Sequence, residues 1–199
     1  MFLVAIGLLV LISVPLAGGR LSKLANIDLR GAGFIFGSLV LQVLIVTVFP
    51  GGNPTLHRAL HLVSYLLAAA FLVANRHLPG LRYVAAGALA NAVAIFANNG
   101  VMPATAGALR AAGDPVNTKT FMNSTLLAHP RVPLLGDIFA IPKAWPLHNV
   151  FSLGDICITI GAVIAVHSLC ETRLSRRRRH EHVPDCGDPR QVEASGPIT

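Results

Sequence analysis

Apolar residues gather into five long runs along this chain, at about residues 2–17, 31–49, 55–74, 83–98 and 152–170, separated by polar or proline-containing breaks. Runs of this length and apolarity predict helices matched to the hydrocarbon core of a bilayer. The first is near the lower length limit. It has no basic residue ahead of it, unlike a secretory signal, so it reads as a retained span, with a tilted or incompletely crossing helix as the alternative its length leaves open. The expected fold is all-α: a polytopic membrane helical bundle of about five spans, with a partly helical extracytoplasmic segment between spans 4 and 5. An integral membrane domain would occupy residues 1–172, and residues 173–199 would be a disordered basic tail.

The breaks carry the turn chemistry. Pro50-Gly51-Gly52-Asn53-Pro54 ends the second run, and Asn98-Asn99-Gly100 stops the fourth. From residue 99 to residue 151 nothing is apolar enough to span, and Pro103, Pro115, Pro130, Pro133, Pro142 and Pro146 punctuate the segment. Pro103 is expected to open a short helix through Ala111 that Gly113 closes, and a second is expected from about Thr118 to Ala128. Residues 129–148, with Phe139 and Trp145, read as ordered cover, the tryptophan sitting at headgroup depth.

The last run opens on Phe151-Ser152-Leu153-Gly154-Asp155-Ile156. Serine followed three residues later by an acid is a capping box, and Phe151 with Ile156 has the spacing of a hydrophobic staple. Small residues fill the fourth run, so neighbouring helices can approach it closely, and Asn91 at its middle reads as a helix-to-helix hydrogen bond. Gly33 and Gly37 share one face of the second run and offer a further place for close backbone approach.

Composition agrees with a bilayer. Of 199 residues 53% are hydrophobic and 13% charged, and the mean hydropathy is +0.63. The formal charge of +7 does not point to nucleic acid, because the basic residues are segregated between apolar runs. Placing Arg173, Arg176, Arg177, Arg178 and Arg179 in the cytoplasm puts Arg20, Lys23, Arg30, Arg76 and Arg82 there too, with the amino terminus outside. That arginine cluster reads as the topology anchor of the last span, and its charges also suit anionic lipid. Cys157 and Cys170 lie about 20 Å apart along one helix, too far to bridge.

At Asn98-Asn99-Gly100-Val101-Met102-Pro103, Leu135-Gly136-Asp137 and Phe151-Ser152-Leu153-Gly154-Asp155 the chain resembles a family of uncharacterised multi-pass bacterial membrane proteins, catalogued as a domain of unknown function. The resemblance covers most of the chain before the arginine cluster. It implies a bacterial plasma-membrane setting and brings no activity with it.

Two sets of residues have the makings of chemistry. Leu135-Gly136-Asp137-Ile138 is echoed by Leu153-Gly154-Asp155-Ile156, and a pair of carboxylates can bind a cation or share a proton. The plainer readings are a helix cap for Asp155, and a solvated turn or a salt bridge to Arg131 or Lys143 for Asp137. His57 and His61 stand one turn apart, a metal-ligand spacing, with His129 and His148 on the same predicted side. A hydrolase triad of His148, Ser152 and Asp155 fails on order, since the histidine must lie between the serine and the acid.

The leading expectation is therefore a plasma-membrane protein that binds or passes a small ligand or ion at its outer face, with Asn98, Asn99, Asp137, Asp155 and His61 as the polar candidates. The alternatives are a membrane-embedded metal-dependent enzyme using His57, His61 and the carboxylates, and a non-catalytic partner subunit of a membrane complex. The sequence names no cofactor.

Overall fold

The computed structural model describes residues 2–45, 54–114 and 124–175. Helices lie at the five apolar runs: α1 (Phe2–Leu16), α2 (Ala32–Val43), α3 (Pro54–Ala74), α4 (Leu81–Ala97) and, at the end, α6 (Leu153–Leu169). Between α4 and α6 come β1 (Met102–Pro103), α5 (Ala106–Ala112), β2 (Ser124–Thr125), β3 (Asp137–Ile141) and β4 (Asn149–Ser152).

Two expectations fail here. Among the described residues no helix is long and apolar enough to cross a membrane. α1, α2, α4 and α6 have 15, 12, 17 and 17 residues, so at 1.5 Å per residue the longest of the four reaches roughly 25 Å, short of a ~30 Å hydrocarbon core. α3 has 21 residues but includes His57, Arg58 and His61. Among the described residues the expected bundle of five membrane spans is thus not formed. Nor is the fold all-α, because the segment after α4 contains strands: β1 pairs in parallel with β2, and β3 pairs antiparallel with β4.

The strands have local causes. Phe139 lies opposite Phe151 in the β3–β4 register, with ring centroids 5.4 Å apart; a cross-strand aromatic pair adds about 0.5–1.5 kcal/mol beyond area burial. α5 begins at Thr105, whose hydroxyl accepts from the Ala108 amide, and ends at Gly113 in the left-handed region. Its buried Ala108, Leu109 and Ala112 pack with Ala104 and Val150, which fastens the helix onto the β3–β4 hairpin. The helix expected over Thr118–Ala128 falls partly outside the described residues, and Ser124–Thr125 within it are strand.

The main helical contact is α4 against α6, antiparallel and almost backbone on backbone. A Cβ on Gly87 would strike the Gly154 carbonyl oxygen, and one on Gly161 would lie 2.6 Å from the Val84 nitrogen. Gly80, left-handed at φ +84 just before α4, sits against the Gly161 carbonyl in the same way. Four glycines, two on each side of the contact, therefore set the distance between the helices. The pair expected to serve this purpose does not: Gly33 faces open space, and Gly37 meets only Leu67 Cδ1 at 3.5 Å.

Asparagines fix the ends of two helices by the same device. Asn98, the C-cap of α4, accepts from the Arg131 amide at 2.7 Å and donates to the Arg131 carbonyl and to the Ala94 carbonyl one turn back. Asn75, just after α3, does the same with Arg30 and Phe71. In each case one buried carboxamide satisfies three backbone groups and clasps a distant loop to a helix end.

Candidate functional site

The closest approach of α4 and α6 positions a polar cluster. α6 starts at Leu153 because Ser152 caps it: the serine hydroxyl accepts from the Asp155 amide at 3.1 Å, and the Asp155 carboxylate accepts from the Ser152 amide at 2.9 Å. Gly154, one residue into the helix, has no side chain, and the Asn91 carboxamide of α4 occupies the space a Cβ would fill. From there Asn91 Nδ2 donates to Asp155 Oδ1 at 2.8 Å. Ser152 Oγ lies 2.8 Å from Asn91 Oδ1 and 3.0 Å from Asp155 Oδ2. The hydroxyl proton goes to one of these two acceptors at a time, and when it goes to Asn91 the Asp155 Oδ2 keeps the Ser152 amide.

Asp137 joins this group through the sheet. It lies opposite Ser152 in the β3–β4 register, and its carbonyl takes the Thr105 amide. Its side chain is buried and accepts from Ser124 Oγ at 2.5 Å. Burial pushes the Asp137 carboxyl up from its ordinary range to about 6; the Ser124 bond opposes the rise and the charge of Asp155 adds to it. Asp137 is therefore neither a solvated turn residue nor, among the described residues, an ion-pair partner of Arg131 or Lys143.

Tyr65 of α3 completes the surroundings. Burial raises its phenol to about 12, and the Asp155 charge acts in the same direction. Its ring meets Phe96 edge-on at 5.7 Å and stacks on His61 at 6.3 Å. From the α1 side a cavity of about 210 Å³, lined by Ile6, Phe151, Ile156, Thr159 and Ile160, reaches Asp155.

The sequence-derived candidates thus divide. Asp137 stands opposite Ser152, three residues before Asp155, and feels the Asp155 charge, while His61 lies buried one turn before Tyr65. Asn98 is occupied by the loop backbone at Arg131. Asn99 is exposed, with φ +60. The His57 side chain lies outside the described residues, as do Arg176, Arg177, Arg178 and Arg179, while Arg173 stands at the far end of α6. His129 and His148 are exposed, and among the described residues no three His, Cys, Asp or Glu side chains gather as a metal site. His148 precedes a strand rather than lying on α6, so the helical face that would align it with Ser152 and Asp155 does not exist. Tyr65 and Ser124 were not among the candidates. The four-residue spacing from His61 to Tyr65 was a readable signal for the first, whereas only the long-range fold brings Ser124 to Asp137.

Comparison with known proteins adds membership without activity. A family model described as a family of unknown function, DUF5317, matches residues 26–167. An uncharacterized protein of Thermotoga maritima is 28% identical over 102 residues, covering 51% of this chain and 59% of that protein. The chain thus matches about three-fifths of the length of this curated relative. No solved structure matches. Since the matched segment holds most of the chain, including α2 to α5, most of α6 and every residue of the carboxylate cluster, the protein belongs to DUF5317, a family of unknown function.

Proposed function

We propose that this protein binds a small hard cation, in competition with protons, at the Asp137 and Asp155 cluster. The observation that carries the reading is the gathering of oxygens: the Asp155 carboxylate, Asn91 Oδ1 and Ser152 Oγ are in mutual contact, and the buried Asp137 carboxylate stands on the residue opposite Ser152 in the sheet. Oxygen-only donors suit sodium, potassium, magnesium or calcium rather than the softer transition metals. With only two acids present, the ion keeps part of its water or takes neutral oxygens from Asn91, Ser152 and Ser124. Below about pH 6 a proton on Asp137 does the same work of neutralisation.

The exposed apolar side chains of the helices, among them Leu9, Ile12, Phe36, Leu66, Val73 and Leu89, support a lipid-associated setting for this site. Thermal unfolding of the full chain, followed while each of the four cations is added above pH 6, tests the proposal. One of them is expected to raise the midpoint progressively, as ligand linkage requires, in wild type and not in Asp155→Asn. Identical midpoints with all four salts at equal ionic strength would end this reading.

A further inference from the structure

The other end of α6 holds a second, oppositely charged site. Gly18, Arg20, Lys23, Cys170, Glu171 and Arg173 line a cavity of about 300 Å³. Two chain reversals build it. The Arg20 amide donates to the Cys170 carbonyl, and the Arg173 amide donates to the Ala17 carbonyl, both at 3.1 Å.

Special backbone positions hold the side chains in place. Glu171 takes a left-handed φ of +49, costly for a residue with a side chain, and meets Lys23 Nζ at 2.5 Å. Gly18 is left-handed too, and a Cβ there would lie 3.2 Å from Arg173 Nε, so its bareness gives the guanidinium room. Three cationic side chains thus share one cavity with a single carboxylate. Beside them Leu16, Leu21 and Leu174 are 83%, 42% and 64% exposed. A basic hollow whose lining residues Arg20 and Arg173 are each followed in the chain by an exposed leucine, with exposed Leu16 two residues before Gly18, matches an amphiphile with an anionic head and apolar tails.

We propose that this cavity receives the phosphate of an anionic lipid headgroup, with Arg20 and Arg173 as its guanidinium forks and the three leucines resting against acyl chains. Guanidinium is the suitable group because its planar fork pairs with two phosphate oxygens at once. Lys23, held by Glu171, adds charge at the cavity wall.

The test mixes the full chain with phosphatidylcholine vesicles containing phosphatidylglycerol, with phosphatidylcholine vesicles alone, and separately with inorganic phosphate. Binding is expected only to the vesicles with phosphatidylglycerol. One basic side chain near an anionic surface changes the binding constant about fivefold, so the double variant Arg20→Gln/Arg173→Gln is expected to bind roughly 25-fold more weakly. Arg20→Lys/Arg173→Lys keeps the charge and is expected to retain most of the affinity. Glu171→Gln removes the acid from the cavity wall and is expected to tighten binding, a gain that misfolding does not produce. The arginines beyond residue 175 remain in every variant, so their attraction is common to all. A double glutamine variant that binds like wild type, or a Glu171→Gln variant with unchanged affinity, would overturn the proposal. So would a wild-type protein that ignores phosphatidylglycerol while inorganic phosphate alone raises its unfolding midpoint, since the site would then belong to a soluble phosphate.

Discussion

Asn91 on α4 and Asp155 on α6 are joined by a hydrogen bond of 2.8 Å, made across the point where Gly154 lets the two helices touch. The bond ties packing to the polar cluster, because the same carboxamide that fills the space above Gly154 also holds the carboxylate. Asn91→Ala is expected to cost roughly 1.5–3 kcal/mol, the range for a hydrogen bond to a charged group. Chemical denaturation at neutral pH measures it.

The glycines of the α4 and α6 contact are expected to tolerate no methyl group. Gly87→Ala and Gly154→Ala each force a Cβ into backbone or carboxamide oxygen, a kind of overpacking that costs about 1–3 kcal/mol or more. Gly33→Ala is the control. It meets nothing within 4 Å on α2, so helix propensity alone acts and stability is expected to rise by up to about 1 kcal/mol. Denaturation midpoints of the three variants separate the cases.

Asp137 gives stability a definite dependence on pH. Its carboxyl rises from 3.8 to about 6 on folding, so the folded state binds the proton more tightly than the unfolded chain. The contribution is fully present below about pH 4 and is lost as pH rises through about 6, amounting to about 3 kcal/mol when each pKa unit is worth 1.36 kcal/mol. Asp137→Asn is expected to remove this slope between about pH 4 and about pH 6. Denaturation curves for wild type and variant across that window, without added divalent salt, check the sign.

The clasp of Asn98 on Arg131 reads backbone, not side chain. Arg131→Ala is therefore expected to change stability by no more than about 0.5 kcal/mol, as for an ordinary surface site. Asn98→Ala leaves an amide and a carbonyl of residue 131 without their partner, at about 1–3 kcal/mol, and loosens Val132, which is β-branched yet left-handed at φ +46. Hydrogen exchange at the amide of Arg131 distinguishes the two variants.

Local features were legible and distant ones were not. Ser152 and Asp155 are three residues apart, so their capping box stands in the sequence itself. The start and stop of α5 at Thr105 and Gly113 also have local causes, although the expected opening at Pro103 lies in β1. The burial of Asp137 was not legible, because it depends on β3 pairing with β4 and on Ser124 arriving from another strand. The echo of Leu-Gly-Asp has a structural basis that spacing did not disclose. Gly136 abuts the Pro103 carbonyl as Gly154 abuts Asn91, so in both copies a bare residue admits a neighbouring oxygen beside an acid. Apolarity alone misled on the spans, since runs of suitable composition fold into helices that stop at caps and glycines before reaching bilayer length.

The most direct measurement is calorimetric titration of the full chain with sodium, potassium, magnesium and calcium chlorides at pH values on either side of about 6, in buffers of different ionisation enthalpy. Binding of one cation is expected to strengthen as pH rises, with release of a proton near pH 6 that disappears in Asp137→Asn, and to be lost in Asp155→Asn. Absence of binding by all four ions above pH 6, or binding that neither substitution alters, would contradict the assignment of these two carboxylates as a cation site.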